Sequence, residues 1–222
     1  MSDDPGFAVY DDIFDPAEMA RVLDALEQSR IVRKKAGARH IIRVSAVSVL
    51  ANDSRLVNIA SRLLGSSAFP FRATLFDKSF STNWLVSWHQ DTALPIAKRT
   101  DHPGWGPWTL KNGVLHAIAP ASALEKVVAL RVHLDESTAE NGPLRVLPRS
   151  HAGGVLDHES IRRLAGTTPQ TECTTRIGGV VAMRPLVVHA SSKARVDRPR
   201  RVIHVEYASS TRLDDDIELA VQ

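Results

Sequence analysis

Two periodicities divide the chain. In the first third, Met19, Val22, Leu23 and Leu26 recur at helical spacing. They follow Asp15-Pro16-Ala17-Glu18, which reads as an N-cap, a first-turn proline and a capping-box glutamate, so a helix is expected from Pro16 to near Arg30. Leu56, Ile59, Ala60 and Leu63 repeat the pattern between Asp53 and Leu64, with Gly65 placed to end that helix. Beyond Pro70 the texture changes to short β-branched and aromatic runs broken by Pro, Gly and Asn. Strands are expected near 71–77, 83–89, 127–134, 144–147, 180–183, 186–190 and 201–207, with a short helix near 157–164. Between about 92 and 125 lies a proline- and glycine-punctuated stretch holding Trp105, Trp108 and His116, which reads as a functional lid loop. Helices followed by many short strands imply a mainly β fold with flanking helices, packed on a closed or double-sheet β core. The expected organisation is one domain over 1–222, with a helical part at about 1–66 and a β core at about 70–208.

Composition narrows this picture. A chain 43% hydrophobic and 24% charged is globular, and no apolar run approaches the roughly 18–20 residues of a membrane span. The acidic start Met1-Ser2-Asp3-Asp4-Pro5 lacks the layout of a secretory signal. Cys173 is the only cysteine, which precludes an intrachain disulfide and suits a reducing compartment, so a cytoplasmic location is expected. Formal charge is +3, with basic clusters at Arg30, Arg33, Lys34, Lys35, Arg39 and Arg43 and at Arg195, Arg198, Arg200 and Arg201. Such stripes can meet phosphates, which makes nucleic acid an alternative partner. Acidic residues nearly balance them, and no aromatic stacking platform stands beside them, so a small-molecule substrate is the leading expectation.

The chemistry suggested is that of a non-haem iron site, which needs two neutral imidazoles and one carboxylate on one face of the ion. His-X-Asp or His-X-Glu supplies part of this, because residues i and i+2 of a strand share a side. The motif occurs three times: His89-Gln90-Asp91, His133-Leu134-Asp135 and His204-Val205-Glu206. His133 and Asp135 also read as the polar face of a strand opposite Leu130, Val132 and Leu134, and His204 has no histidine after it. His89 and Asp91 close a strand and open onto the long loop. His189 follows the apolar run Pro185-Leu186-Val187-Val188, and Arg200 arrives eleven positions later, where a guanidinium fork would suit a dicarboxylate cosubstrate.

Residues 83–91, His133-Leu134-Asp135 with Asn141-Gly142-Pro143-Leu144, Pro148-Arg149-Ser150-His151, His189-Ala190-Ser191 and Arg198-Pro199-Arg200-Arg201-Val202-Ile203-His204 together resemble the phytanoyl-CoA dioxygenase-like family over roughly 70–208. The resemblance implies a double-stranded β-helix (a cupin-like jelly roll), bound iron(II), 2-oxoglutarate as cosubstrate and dioxygen as oxidant. It places His89, Asp91 and His189 on the metal ligands, Arg200 on the arginine that pairs with the 2-oxoglutarate carboxylate, and His133-Leu134-Asp135 on a structural strand and turn. Ser191 falls two residues after the distal histidine, and Trp108 near a loop tryptophan that lines the cosubstrate pocket. Strand alternation turns one of Arg200 and Arg201 inward, and the family's register favours Arg200. Asn83 reads either as a cosubstrate contact or as a strand-edge cap, Lys34, Lys35 and Arg39 as basic residues able to face the site, and His116 and His151 as structural or exposed. Relatives that halogenate lack the carboxylate, so Asp91 points to hydroxylation or a related oxidation rather than halogenation. Arg149 stands where the family usually has glycine, which puts the shape of that turn in question. The expected rivals are a non-catalytic cupin-like metal or ligand binder and an oxygenase acting on nucleic acid.

Overall fold

The computed structural model describes residues 4–29, 31–33, 37–78, 82–111 and 113–221. Arg30, Lys34 and Lys35 lie outside the described residues. The chain opens with β1 (Phe7–Tyr10), a strand inside the part read as helical. Helix α1 (Pro16–Gln28) follows with the expected capping box, the Asp15 carboxylate accepting from the Glu18 N–H and the Glu18 carboxylate from the Asp15 N–H. After β2 (Gly37–Arg39) come α2 (Ser45–Ala51) and α3 (Ser54–Leu64), the latter capped by Asp53 and closed by Gly65 at φ 69°. Arg55 bonds both Asp53 and Glu18, tying the starts of α1 and α3 together.

The strands then run β3 (Phe69–Lys78), β4 (Val86–His89), β5 (Ala93–Pro95), β6 (Trp108–Lys111) and β7 (Val114–Ile118). The stretch expected to be an irregular lid is therefore largely folded, as a small antiparallel sheet β5-β7-β6 followed by the short helix α4 (Ala121–Leu124). Leu94, Ile96, Trp105 and Ala117 bury its inner side against Phe71, Leu186 and Leu213. Next come β8 (Val127–His133), β9 (Leu144–Val146), helix α5 (His158–Thr167), β10 (Thr171–Cys173), β11 (Val180–Met183), β12 (His189–Ser191), β13 (Arg200–Ala208), β14 (Arg212–Asp214) and β15 (Ile217–Glu218).

A six-stranded sheet, β1-β11-β8-β13-β3-β2, faces a four-stranded one, β10-β9-β12-β4, giving the two layers of a double-stranded β-helix. Alternation decides what lies between them. On the outer face of the large sheet, Ala73, Leu75, Leu130, Val132, Ile203, Val205 and Tyr207 pack under α1, α2 and α3, and the Tyr207 hydroxyl donates to Ala51 O at 2.7 Å. On its inner face, Ala129, Val181 and Met183 meet Leu144 and Val146 of the small sheet, forming a dry end to the interior. The rest of that inner face is polar. The register aligns Arg39, Thr74, His204 and Arg131 in one row, Arg72 with Glu206 in the next, and Lys78 with Arg200 at the far end.

Candidate active site

His89 and His189 sit directly opposite each other in the β4–β12 ladder, with ring centroids 4.2 Å apart. The Asp91 N–H donates to Pro185 O at 2.9 Å, holding the chain just past β4 against the turn that leads into β12. This brings Asp91 Oδ1 to 3.7 Å from His89 Nε2 and Oδ2 to 3.5 Å from His189 Nε2. All three donor atoms lie within 4.8 Å of one another. Between the ligand positions, the Gln90 amide is spent on Gly154 O, Leu186 O and the Leu156 N–H, which pins the end of β4.

Each imidazole is fixed by its own strand. His89 Nδ1 lies 2.8 Å from Ser87 O and His189 Nδ1 2.9 Å from Val187 O. A carbonyl only accepts, so each Nδ1 carries the proton and each Nε2 presents a lone pair toward Asp91, the arrangement a metal-binding histidine uses. Burial pushes the His189 imidazole down to about 4, keeping it in the neutral, ligating form. Burial works against the Asp91 charge, but His189, His204, His89 and Arg72 together prevail and hold its carboxyl down at about 2. Among the described residues this is the one cluster of three such groups close enough to hold an ion.

The other two His-X-acid motifs are engaged elsewhere. His133 is fully buried with Nδ1 on Arg131 O, while Asp135 takes the Arg201 guanidinium at 2.7 and 2.8 Å. His204 accepts from Arg131 Nη1 at 3.1 Å, and Glu206 is paired with Arg72. Arg201 thus points outward and Arg200 inward. The Arg195–Arg201 cluster is consequently no continuous solvated stripe.

A second feature is the electropositive interior beyond the triad. Lys78, Arg131 and Arg200 are buried at 1%, 7% and 3% exposure, and none has a carboxylate partner among the described residues. The Ser191 hydroxyl joins two of them, receiving Lys78 Nζ at 2.8 Å and Arg200 Nη2 at 3.3 Å while donating to Gly142 O at 2.9 Å. Arg200 Nε and Nη1 are buried and make no hydrogen bond among the described residues. Burial, then the charge of Arg131, pushes the Arg200 guanidinium down to about 9, so it stays protonated at neutral pH. Burial, then Arg200, Arg131 and Arg145, pushes the Lys78 ammonium down to about 7. His189 and Ser191 share one face of β12 at a separation of about 7 Å, comparable with a five-carbon dicarboxylate. A buried guanidinium with Nε and Nη1 unsatisfied among the described residues, tied through Ser191 to the strand that carries His189, fits 2-oxoglutarate beside iron(II) on a two-histidine, one-carboxylate set.

A cavity of about 240 Å³ opens beside Asp91, lined in part by Arg39, Phe76, Lys111, His116 and the Arg72–Glu206 pair. Of the three basic residues the sequence left open, Arg39 lines this cavity, and so does the buried His116. Two other candidates stand apart. Asn83 pairs twice with the Ala194 backbone, at 2.7 and 2.8 Å, which is the capping role. Trp108 packs on the Phe71–Leu186 apolar cluster and is not among the residues lining this cavity. Lys78 and Arg131 were missed. Their signal was a lone cation in an otherwise apolar run, an even number of residues from another polar side chain: Lys78 in step with Arg72, and Arg131 with His133.

The site can be set beside known proteins. L-Proline trans-4-hydroxylase from Streptomyces griseoviridis is 28% identical over 178 residues, covering 68% of this chain and 59% of that protein. Ectoine dioxygenase from Sphingopyxis alaskensis is 25% identical, over 96% of this chain and 75% of its own length. The crystal structure of EctD from S. alaskensis with 2-oxoglutarate and 5-hydroxyectoine superposes with a TM-score of 0.69 at 22% identity, covering 93% of this chain and 73% of that one, a likeness of fold. The phytanoyl-CoA dioxygenase family model matches residues 2–202, a span that takes in His89, Asp91 and His189, and the chain belongs to the phytanoyl-CoA dioxygenase family.

Proposed function

We propose that this protein is an iron(II)- and 2-oxoglutarate-dependent dioxygenase that hydroxylates an unactivated carbon of a small organic molecule. In this reading His89, Asp91 and His189 hold the metal, and their Nδ1–carbonyl bonds fix both imidazoles before it arrives. Arg200 takes the far carboxylate of 2-oxoglutarate, with Ser191 and Lys78 completing the cradle. Iron(II) with 2-oxoglutarate and dioxygen supplies the oxidation, placing one oxygen atom on the substrate carbon and the other in succinate as carbon dioxide leaves. The chain's own residues orient and exclude. The apolar end of the interior keeps water from one side, and the β5-β7-β6 sheet walls the cavity on the other.

The observation that carries this reading is the pairing of the triad with the Arg200 guanidinium, which has no carboxylate partner among the described residues and leaves Nε and Nη1 unsatisfied. A cupin-like binder without oxygenase chemistry would have no use for that buried, unsatisfied cation. Anaerobic addition of iron(II) and 2-oxoglutarate is expected to produce the weak visible charge-transfer band of the chelate, and admission of air to release succinate. Iron binding with neither band nor succinate would leave the non-catalytic reading standing instead.

A further inference from the structure

The cavity beside Asp91 has a charge pattern that neither the metal nor the cosubstrate explains. Four ionised groups face it besides Asp91: Arg39, Arg72, Lys111 and Glu206. Arg72 and Glu206 cancel, because the guanidinium meets that carboxylate through both Nε and Nη2. Arg39 and Lys111 have no acidic partner among the described residues. Both are exposed, whereas the inner lining of Phe76, Thr74, Ala93 and His116 is largely screened from solvent. Burial also pushes the His116 imidazole down to about 4 and that of His204 to about 3, so neither of these two rings adds charge at neutral pH.

Arg39 owes its position to register. It pairs with Thr74, which pairs with His204, so it stands on the inward face of the edge strand β2, two strand spacings or about 10 Å from the His204 backbone. Lys111 comes from another sheet, at the end of β6 in β5-β7-β6. The two exposed cations therefore stand at the open side of a chamber of about 240 Å³ whose other ionised pair, Arg72 and Glu206, is mutually neutralised, and whose wall includes the carboxylate of the triad. That volume lies below the roughly 300–1,000 Å³ of sites for drug-sized ligands. A large carrier-linked substrate would leave most of its bulk outside.

We infer that the substrate is a small organic anion whose acidic head group is held at the cavity mouth by Arg39 and Lys111, with its carbon skeleton directed inward past Phe76 toward the triad. This rests on the function proposed above, of which it names the substrate class. A positive mouth concentrates anions and fixes which end enters first, so the oxidised carbon is one remote from the head group.

Matched probes test the inference on protein loaded with manganese(II) and 2-oxoglutarate: cyclopentanecarboxylate, cyclopentanecarboxamide and cyclopentylphosphonate, followed by ligand-observed NMR. Either anion is expected to bind at least about 10-fold more tightly than the amide, a difference of about 1.4 kcal/mol. The better anion identifies the head group. Arg39→Gln and Lys111→Gln are each expected to weaken that binding several-fold, and Arg39→Glu to abolish it. Equal binding of acid and amide, no binding of any probe, or indifference to Arg39→Glu overturns the inference. Absence of succinate from the parent protein would instead count against the oxygenase reading, which keeps the two failures apart.

Discussion

Replacing Arg200 by methionine is expected to move stability and cosubstrate affinity in opposite directions. Without 2-oxoglutarate, the wild-type chain buries a guanidinium whose Nε and Nη1 are unsatisfied, and which Lys78 and Arg131 surround with like charge. An unmade buried hydrogen bond costs about 1–3 kcal/mol. Against this stand one long bond to Ser191 at 3.3 Å and the packing of the side-chain stem, which methionine largely retains. The net expectation is a gain of about 1–2 kcal/mol, or about 2–8 °C in Tm for a chain of this size. With 2-oxoglutarate the sign reverses. Truncating one partner of a buried charge pair costs about 2–5 kcal/mol, and Lys78 remains to hold one carboxylate oxygen, so the lower half of that range applies. Kd for 2-oxoglutarate should rise by about 30- to 300-fold. The assay is a thermal-shift titration with 2-oxoglutarate in the presence of manganese(II), in which the parent and variant curves should cross as the ligand concentration rises. A variant less stable than the parent without 2-oxoglutarate, yet equally responsive to it, would refute the argument.

Other outcomes follow from the same geometry. Asp91→Ala should weaken iron(II) binding by more than about 100-fold, beyond the about 10–100-fold of an outer partner, whereas His133→Ala should leave it nearly unchanged; isothermal titration reads both. Binding of 2-oxoglutarate should weaken as pH rises through about 7, because the Lys78 ammonium deprotonates there, and Lys78→Met should flatten that profile. Gly142→Ala should cost about 2–4 kcal/mol in denaturant unfolding, since φ is +71° and the new Cβ would stand 2.4 Å from Ser192 O, which receives Lys78 Nζ. Arg149 occupies the left-handed region at φ 66°, so Arg149→Gly should relieve up to about 1 kcal/mol of strain, visible as a raised Tm.

What was legible in the sequence were the elements with strong local grammar. Helices α1 and α3 carried caps and periodicity, and β3, β8 and β13 were long enough to declare themselves. The triad was legible as residue types, although three motifs competed and the resemblance to a family was what separated them. The β5-β7-β6 sheet was hidden because Pro95, Pro103, Gly104, Gly106, Pro107 and Gly113 interrupt strands of only three to five residues. Strand β2 has three residues, too few for a period, and its role comes wholly from pairing with β3. Period two set Arg200 opposite in sense to Arg201. It could not tell which face of β8 or β13 looked inward, because both faces are buried: one under helices, the other around a charged interior. Asn83 was misleading for a related reason, since β4 begins only at Val86 and the alternation counted from residue 83 has no ladder to follow.

Strand β4 lies at the border of its sheet, paired on one side only, and its ladder with β12 is irregular between His189 and Ser191. Two of the three proposed ligands face each other across that seam. An ion bound there would act as a rivet, joining a weakly laced margin to the body of the protein. Its removal should then show as amide exchange quickening along 86–91 and the turn before β12, while the helices and the six-stranded sheet keep their protection.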